Sequence, residues 1–395
     1  MDRKQFIMVL LALAIIGGAG FVLLNRNRRS WAVREAKMGD KALPNFRFND
    51  VAAIHVKGAG SELNVARKDG IWRVRERGDY AANYLQIKGL LMKIKDLKVL
   101  QSERIGPSQL ARVNLEEPSK RPGSGTLLEF KDARGTVLDA LLVGKRHLRP
   151  QTASDPFNLH GLFDGCYVLL PSDHENVLLI SDELASVVPE PGAWLSKDFF
   201  KIQNIKSISL VSSNDAKSWT LARATGSSPW ILADSKTGEI LNAAMASDIA
   251  EMTGFLSFVD ISGGALSANR DSHKSMQLAM ATFDEFNYTL KIGSKIEGTY
   301  RVTGTVTANM PAERVAESRE TPQETKELNE EFQARTKMLR DKLSREQALA
   351  SWEYVVEPQV LEQIIRDRAQ LLQEKTTMPC EPGAAAEKVP LSLSQ

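Results

Sequence analysis

The sequence predicts an α+β protein: one N-terminal transmembrane helix, then two repeated antiparallel-sheet-plus-helix units, the second with a long helical insertion. Three observations predict it. An uncharged run extends from Phe6 to Leu24, an order of strand and helix patterns occurs twice, and a charge-graded helical pattern interrupts the second occurrence after Ala308.

Phe6–Leu24 reads FIMVLLALAIIGGAGFVLL, nineteen residues without a charge. As a helix it would extend about 28 Å, close to the hydrocarbon thickness of a bilayer. A secretory signal has a shorter apolar core, of roughly 7–15 residues, and a small-x-small cleavage site. This run leaves instead through Leu23 and Leu24 into Arg26, Arg28 and Arg29. It is therefore expected to remain as an anchor, with the lipid bilayer as partner and Phe6, Leu10, Ile15, Gly18 and Leu24 among the embedded residues. Ala14 and Gly18 form a small-xxx-small pair at which a second helix could approach. Arg3 and Lys4 precede the run, whereas Arg26, Arg28, Arg29, Arg34, Lys37 and Lys41 follow it. Counted literally, that bias puts the body in the cytoplasm, although long domains translocate despite flanking charge.

The net charge of +2, with basic residues scattered rather than striped, excludes a nucleic-acid partner as the expectation. The two cysteines, Cys166 in an apolar run and Cys380 near the C-terminus, make neither a disulfide framework nor a CxxC zinc pattern.

The repeat begins with alternating strands, Val51–Val56 and Ile205–Leu210. Each is followed by a strand carrying an Ala-Arg pair, Ala66-Arg67 and Ala222-Arg223. A glycine turn and a tryptophan strand come next, around Trp72 and Trp230. Helices follow: in the first half Asp79 is the expected N-cap, and Ile87, Leu90, Leu91, Ile94 and Leu97 share a face. In the second, Met245, Ile249, Met252, Leu256 and Val259 do so. Two hairpins (Leu127–Lys145 and Ala281–Gly293) and two tyrosine strands (at Tyr167 and Tyr300) complete the halves. Pro189-Glu-Pro191-Gly192 breaks structure between them. The expected organisation is residues 1–25 for the N-terminal segment and anchor, 26–45 for a basic linker, 46–190 and 191–375 for the repeats, and 376–395 for a disordered tail.

The halves differ at one turn. Pro171–Asn176 in the first corresponds to Ala308–Ser351 in the second. Thr321 as N-cap, Pro322 and Glu324 make a helix start with a capping box. Acids (Glu324, Glu327, Glu330, Glu331) precede bases (Arg335, Lys337, Arg340, Lys342, Arg345), as the helix dipole favours. Glu331 with Arg335 and Asp341 with Arg345 have the spacing of i,i+4 ion pairs. Leu328, Phe332, Leu339 and Leu343 trace a thin apolar stripe. These four are the expected partner-contact residues, on an exposed helix over 323–350 that contributes to association rather than to folding.

No pattern points to chemistry. The histidines (His55, His147, His160, His174, His273) show no ligand spacing. Gly144-Lys145 and Gly293-Ser-Lys295 lack the glycine-rich lead of a phosphate loop, and no GxSxG elbow is present. The arginine of each Ala-Arg pair reads as a stem laid over the tryptophan ring. No enzyme activity, catalytic residue, metal or cofactor is expected.

The order of basic N-terminus, single span, I-x-V/L strands, G-x-W-R-V, capped helix, hairpin ending in L-x-I/V-G-K and tyrosine strand resembles the bacterial family catalogued as domain of unknown function 4340. The similarity covers roughly Phe46 to Leu372. It implies a protein anchored in the inner (cytoplasmic) membrane with an extracytoplasmic body, auxiliary to an ABC transporter of the gliding-motility type. ABC-transporter-type membrane proteins are then the implied partners, and the expected role is a non-enzymatic accessory subunit working by protein–protein contact. The alternative is an extracytoplasmic ligand-binding protein or envelope hydrolase with a site between the repeats. The insertion and the arginines after the span depart from the family pattern.

Overall fold

The structure is a computed structural model that describes residues 37–148, 163–262, 276–315 and 320–373. The chain divides into two units: Met1–Asp198 with Val259–Ala265, and Phe199–Phe258 with Leu266–Gln395. The anchor expected at Phe6–Leu24 and the expected tail lie outside the described residues. Among those described, no helix is long and apolar enough to cross a membrane.

In the first unit the alternating patterns become antiparallel strands: β1 (Ala53–Lys57), β2 (Glu62–Lys68), β3 (Ile71–Val74), β4 (Tyr80–Ala81), β5 (Val99–Arg104), β6 (Thr126–Lys131), β7 (Val137–Leu148), β8 (Phe163–Leu170) and β9 (Asp173–Ile180). Their order is β4-β3-β2-β1-β6-β7-β8-β9-β5. Side chains alternate faces along each strand, so Ile54, Val56, Leu63, Val65, Leu128 and Phe130 fall on one face and are buried. Helix α1 (Tyr84–Asp96) contributes Ile87, Leu90 and Ile94 as its buried stripe, each side chain worth about 1.5–3 kcal/mol when fully buried.

The second unit repeats this plan with β10 (Ile205–Val211), β11 (Trp219–Ala222), β12 (Ile231–Leu232), α2 (Ala243–Thr253), β14 (Met276–Thr282), β15 (Phe286–Ile296), β16 (Thr299–Ala308) and β17 (Glu353–Val356). Between α2 and β14 the short β13 (Asp260–Ile261) lies in the stretch grouped with the first unit. The order β12-β11-β10-β14-β15-β16-β17 reproduces β3-β2-β1-β6-β7-β8-β9. Helix α3 (Pro322–Leu349) interrupts the β16–β17 turn, and α4 (Pro358–Ile364) follows β17.

The duplication extends to single bonds. Arg67 N–H donates to Ala52 O at 2.8 Å, and Arg223 N–H to Lys206 O at 3.0 Å. Arg67 stands opposite Trp72 in the ladder. The β11–β12 register, Ala222 opposite Ile231, brings Arg223 and Trp230 to the next pair outward. Trp230 thus sits just before its strand rather than in it, yet both tryptophans are 8 % exposed. The helices are capped alike, though by residues other than the one expected. Asn83 accepts from Gln86 N and Asn242 from Met245 N. Asp79 is four residues short of that position. Gly78 and Asp79 both adopt left-handed backbone (φ 62°), and the Asp79 carboxylate takes Lys68 Nζ at 3.2 Å. In the second helix the buried residues are Ala246, Ile249 and Thr253. Leu256 and Val259 fall beyond its end.

Each unit closes with a 3-10 turn, Pro191–Trp194 or Arg368–Leu371. Its last residue accepts the N–H of the helix cap: Asn83 to Trp194 at 2.7 Å, Asn242 to Leu371 at 2.8 Å. The Pro189–Gly192 stretch is therefore tied into the first unit. Trp194 is fully buried, with its indole N–H on Val188 O at 2.8 Å.

The outer sheet faces differ. In the first unit Leu142, Leu169 and Val177 pair across β7, β8 and β9. Leu115 covers them, with Ile105, Leu110 and Val113 packed alongside. Counted from the matching ladders, the same positions in the second unit hold Lys291, Thr303 and Glu353. The apolar triplet exists because the Ile105–Leu115 segment lies over it.

Candidate functional site

The insertion is built from the N-terminus of α3 onward. Thr321 accepts from Glu324 N at 3.3 Å, and Glu324 returns the bond by accepting from Thr321 N at 2.8 Å. Pro322 occupies the first turn, where its missing N–H costs nothing. The approach is braced by Arg314, whose guanidinium forks onto Glu320 and reaches Asn329 Oδ1 at 3.0 Å.

The second half of α3 is docked on its own unit through polar groups. Arg335 donates to Asp284 Oδ1 at 2.6 Å. Bonds from Asn204, first, and Arg335 hold the Asp284 carboxyl below the usual carboxylate range against the opposing effect of burial. Lys342 donates to Lys201 O at 2.8 Å, and its ammonium lies 4.7 Å from the Phe286 ring centroid. Glu346, 5 % exposed, accepts from Tyr288 Oη at 2.8 Å and from Lys201 N at 3.1 Å. Burial, and then the Glu346 carboxylate, push the Tyr288 phenol well above its ordinary value. Tyr354 Oη caps the helix end by donating to Leu349 O at 2.9 Å.

Of the four expected contact residues, Phe332, Leu339 and Leu343 are half-buried, on the side of the helix that carries Thr336 and Glu346. Leu328 is 39 % exposed. The expected i,i+4 pairs are replaced: Arg335 turns to Asp284, and Asp341 and Arg345 lie farther apart than an ion pair. The solvent side carries Glu331, Ala334, Asp341 and Arg345, all exposed, with Met338 at 71 % in their midst. Sequence reasoning followed the larger apolar residues and passed over this stripe. Its seven-residue spacing, Glu331–Met338–Arg345, was the signal available.

Elsewhere many of the polar side chains have partners, whereas Nε and Nη1 of Arg301 are buried without a hydrogen bond. A shallow groove of about 340 Å³ in the second unit is lined by Asn204, Arg223, Trp230, Ser247 and Glu251. Two of the Arg223 nitrogens are taken by Ile205 O and Gly226 O, both at 2.7 Å. On the first sheet His55 lies between Glu129 and Glu62, each ring nitrogen 2.8 Å from a carboxylate oxygen. His147 meets Asp164 at 2.6 Å. Cys166 is buried and unbridged, and burial pushes its thiol up to about 12. Among the described residues, no group of three or more His, Cys, Asp or Glu could hold a metal ion. The anchor residues Phe6, Leu10, Ile15, Gly18 and Leu24 lie outside the described residues.

No curated protein and no solved structure matches the chain. A family model does, from the tryptophan of β3 to the end of β13. Residues 72–261 match the model of the family described as Domain of unknown function (DUF4340).

Proposed function

We propose that the chain is a non-enzymatic accessory subunit of an ABC-transporter-type envelope complex, acting through protein–protein contact. In this reading Phe6–Leu24 anchors it in the cytoplasmic membrane and the body lies outside the cytoplasm. The observation that carries the contact role is α3: a long helix fixed to its unit on one side and presenting Met338 among unpaired charges on the other. A helix kept rigid by its own body loses little freedom on docking, which favours its use as a contact surface.

The test is co-expression of the tagged full chain with the ATPase and permease encoded beside it. Co-elution of all three after detergent extraction is expected. Elution of the chain without them, or absence of such genes from its neighbourhood, overturns the reading. A reporter fused after Pro44 checks orientation; activity confined to the cytoplasm overturns the placement of the body.

A further inference from the structure

We propose that a second copy of this chain docks on the solvent side of α3, antiparallel, about a two-fold centred on Met338. The inference rests on α3 being a contact surface and names the partner that fits it.

The stripe Glu331, Ala334, Met338, Asp341, Arg345, Ala348 advances by alternating steps of three and four residues. That is the spacing of the seam in a two-helix coiled coil. All six side chains are exposed, and Met338, at 71 %, is a large apolar group with no cover. Small Ala334 and Ala348 leave room for another helix to come close. Glu331 and Arg345 stand seven residues to either side of Met338, roughly 21 Å apart along the axis. Neither makes an ion pair with a described residue, because the intrahelical partners suggested by the sequence are absent or turned elsewhere: Arg335 bonds Asp284.

Charge selects both the occupant and its direction. A parallel copy would set Glu331 against Glu331, Asp341 against Asp341 and Arg345 against Arg345. An antiparallel copy centred on Met338 places each Glu331 opposite the other chain's Arg345, and each Asp341 beside the other chain's Ala334. Complementary pairing in one direction and like-charge contact in the other is the means by which coiled coils fix orientation. The acid-first, base-second gradient of α3 is complementary to itself reversed. The seam is short, so the association is concentration-dependent rather than permanent.

The test uses the full chain in detergent with Cys380→Ser, leaving only the buried Cys166. Met338→Cys should give a covalent dimer on mild oxidation, whereas the exposed but off-seam Lys337→Cys should not. Sedimentation of the chain without either cysteine substitution should show dimer, weakened roughly tenfold or more by Arg345→Glu, which sets like charges opposite. The double variant Glu331→Arg/Arg345→Glu should restore it. A monomer at all concentrations, equal cross-linking at 337 and 338, or a double variant no better than the single one overturns the proposal. A chain that stays monomeric yet co-elutes with the transporter overturns self-docking alone. A dimer that fails to co-elute overturns the accessory reading alone.

Discussion

The guanidinium of Arg223 lies 4.6 Å from the ring centroid of Trp230, anchored by bonds to Ile205 O and Gly226 O. The two carbonyls hold the cation over the ring, and its stem adds cover to the indole. Arg223→Met keeps the stem and loses bonds and charge together. It should destabilise the second unit by about 2–4 kcal/mol in denaturant titration. Arg223→Lys should recover only part of that, since an ammonium cannot reproduce the planar fork.

Arg77 forks onto Asp260 at 2.6 and 2.7 Å, tying the Val259–Ala265 stretch into the first unit. Burial works to raise the Asp260 carboxyl, but the Arg77 bonds and charge, the Ile261 N–H bond and the nearby Lys197 together more than offset it, and the group lies below the usual carboxylate range. A depressed carboxyl stabilises the fold fully above its unfolded value, about 3.9. That contribution disappears as pH falls through the lower folded value. Arg77→Met should therefore cost stability at neutral pH, and the difference from wild type should shrink to nothing in strong acid. A difference that grows on acidification contradicts the assignment.

The Glu346–Tyr288 bond makes α3 part of the fold of its unit. Tyr288→Phe removes the donor to Glu346 Oε2 and leaves the other oxygen with Lys201 N and, at 3.9 Å, Lys342 Nζ, at an expected cost of about 1–3 kcal/mol by thermal unfolding. Replacing the insertion by a short turn should lower the melting temperature of the second unit. An unchanged melting temperature would show the helix to be a passive appendage.

Gly304 faces the Phe200 ring so closely that an added Cβ would overlap it. Gly304→Ala should cost about 1–3 kcal/mol as overpacking. Gly60, whose Cβ would meet nothing within 4 Å, serves as the neutral control.

Asn83→Ala and Asn242→Ala should each lose about 1 kcal/mol, the worth of a side-chain N-cap. Similar losses at both positions would express the repeat in energies.

The repeat was legible because it rests on rare residues in fixed order: Trp72 and Trp230 keep their places opposite an arginine. Helix stripes were legible too, for Ile87, Leu90 and Ile94 obey the helical period. The caps were less so, because Asp79 and Asn83 are equally good formers and only the left-handed turn at Gly78-Asp79 decides between them. The docking of α3 was hidden for a different reason. Its anchors, Lys342 and Glu346, are charged, and burial of a charge becomes visible only when its partners, Lys201 and Tyr288, are brought near. Unit closure at Trp194 was obscured by the preceding prolines, which read as a break between the halves.

The apolar triplet Leu142–Leu169–Val177 and its polar counterpart Lys291–Thr303–Glu353 put the two copies under different evolutionary constraint. A substitution at Leu169 disturbs a packed layer and is selected against as a folding defect. A substitution at Thr303 meets no such layer built on its own strands. The second copy can therefore change the chemistry of that wall from one lineage to the next while the first holds its shape. Divergence among relatives should be fastest there, on β15, β16 and β17.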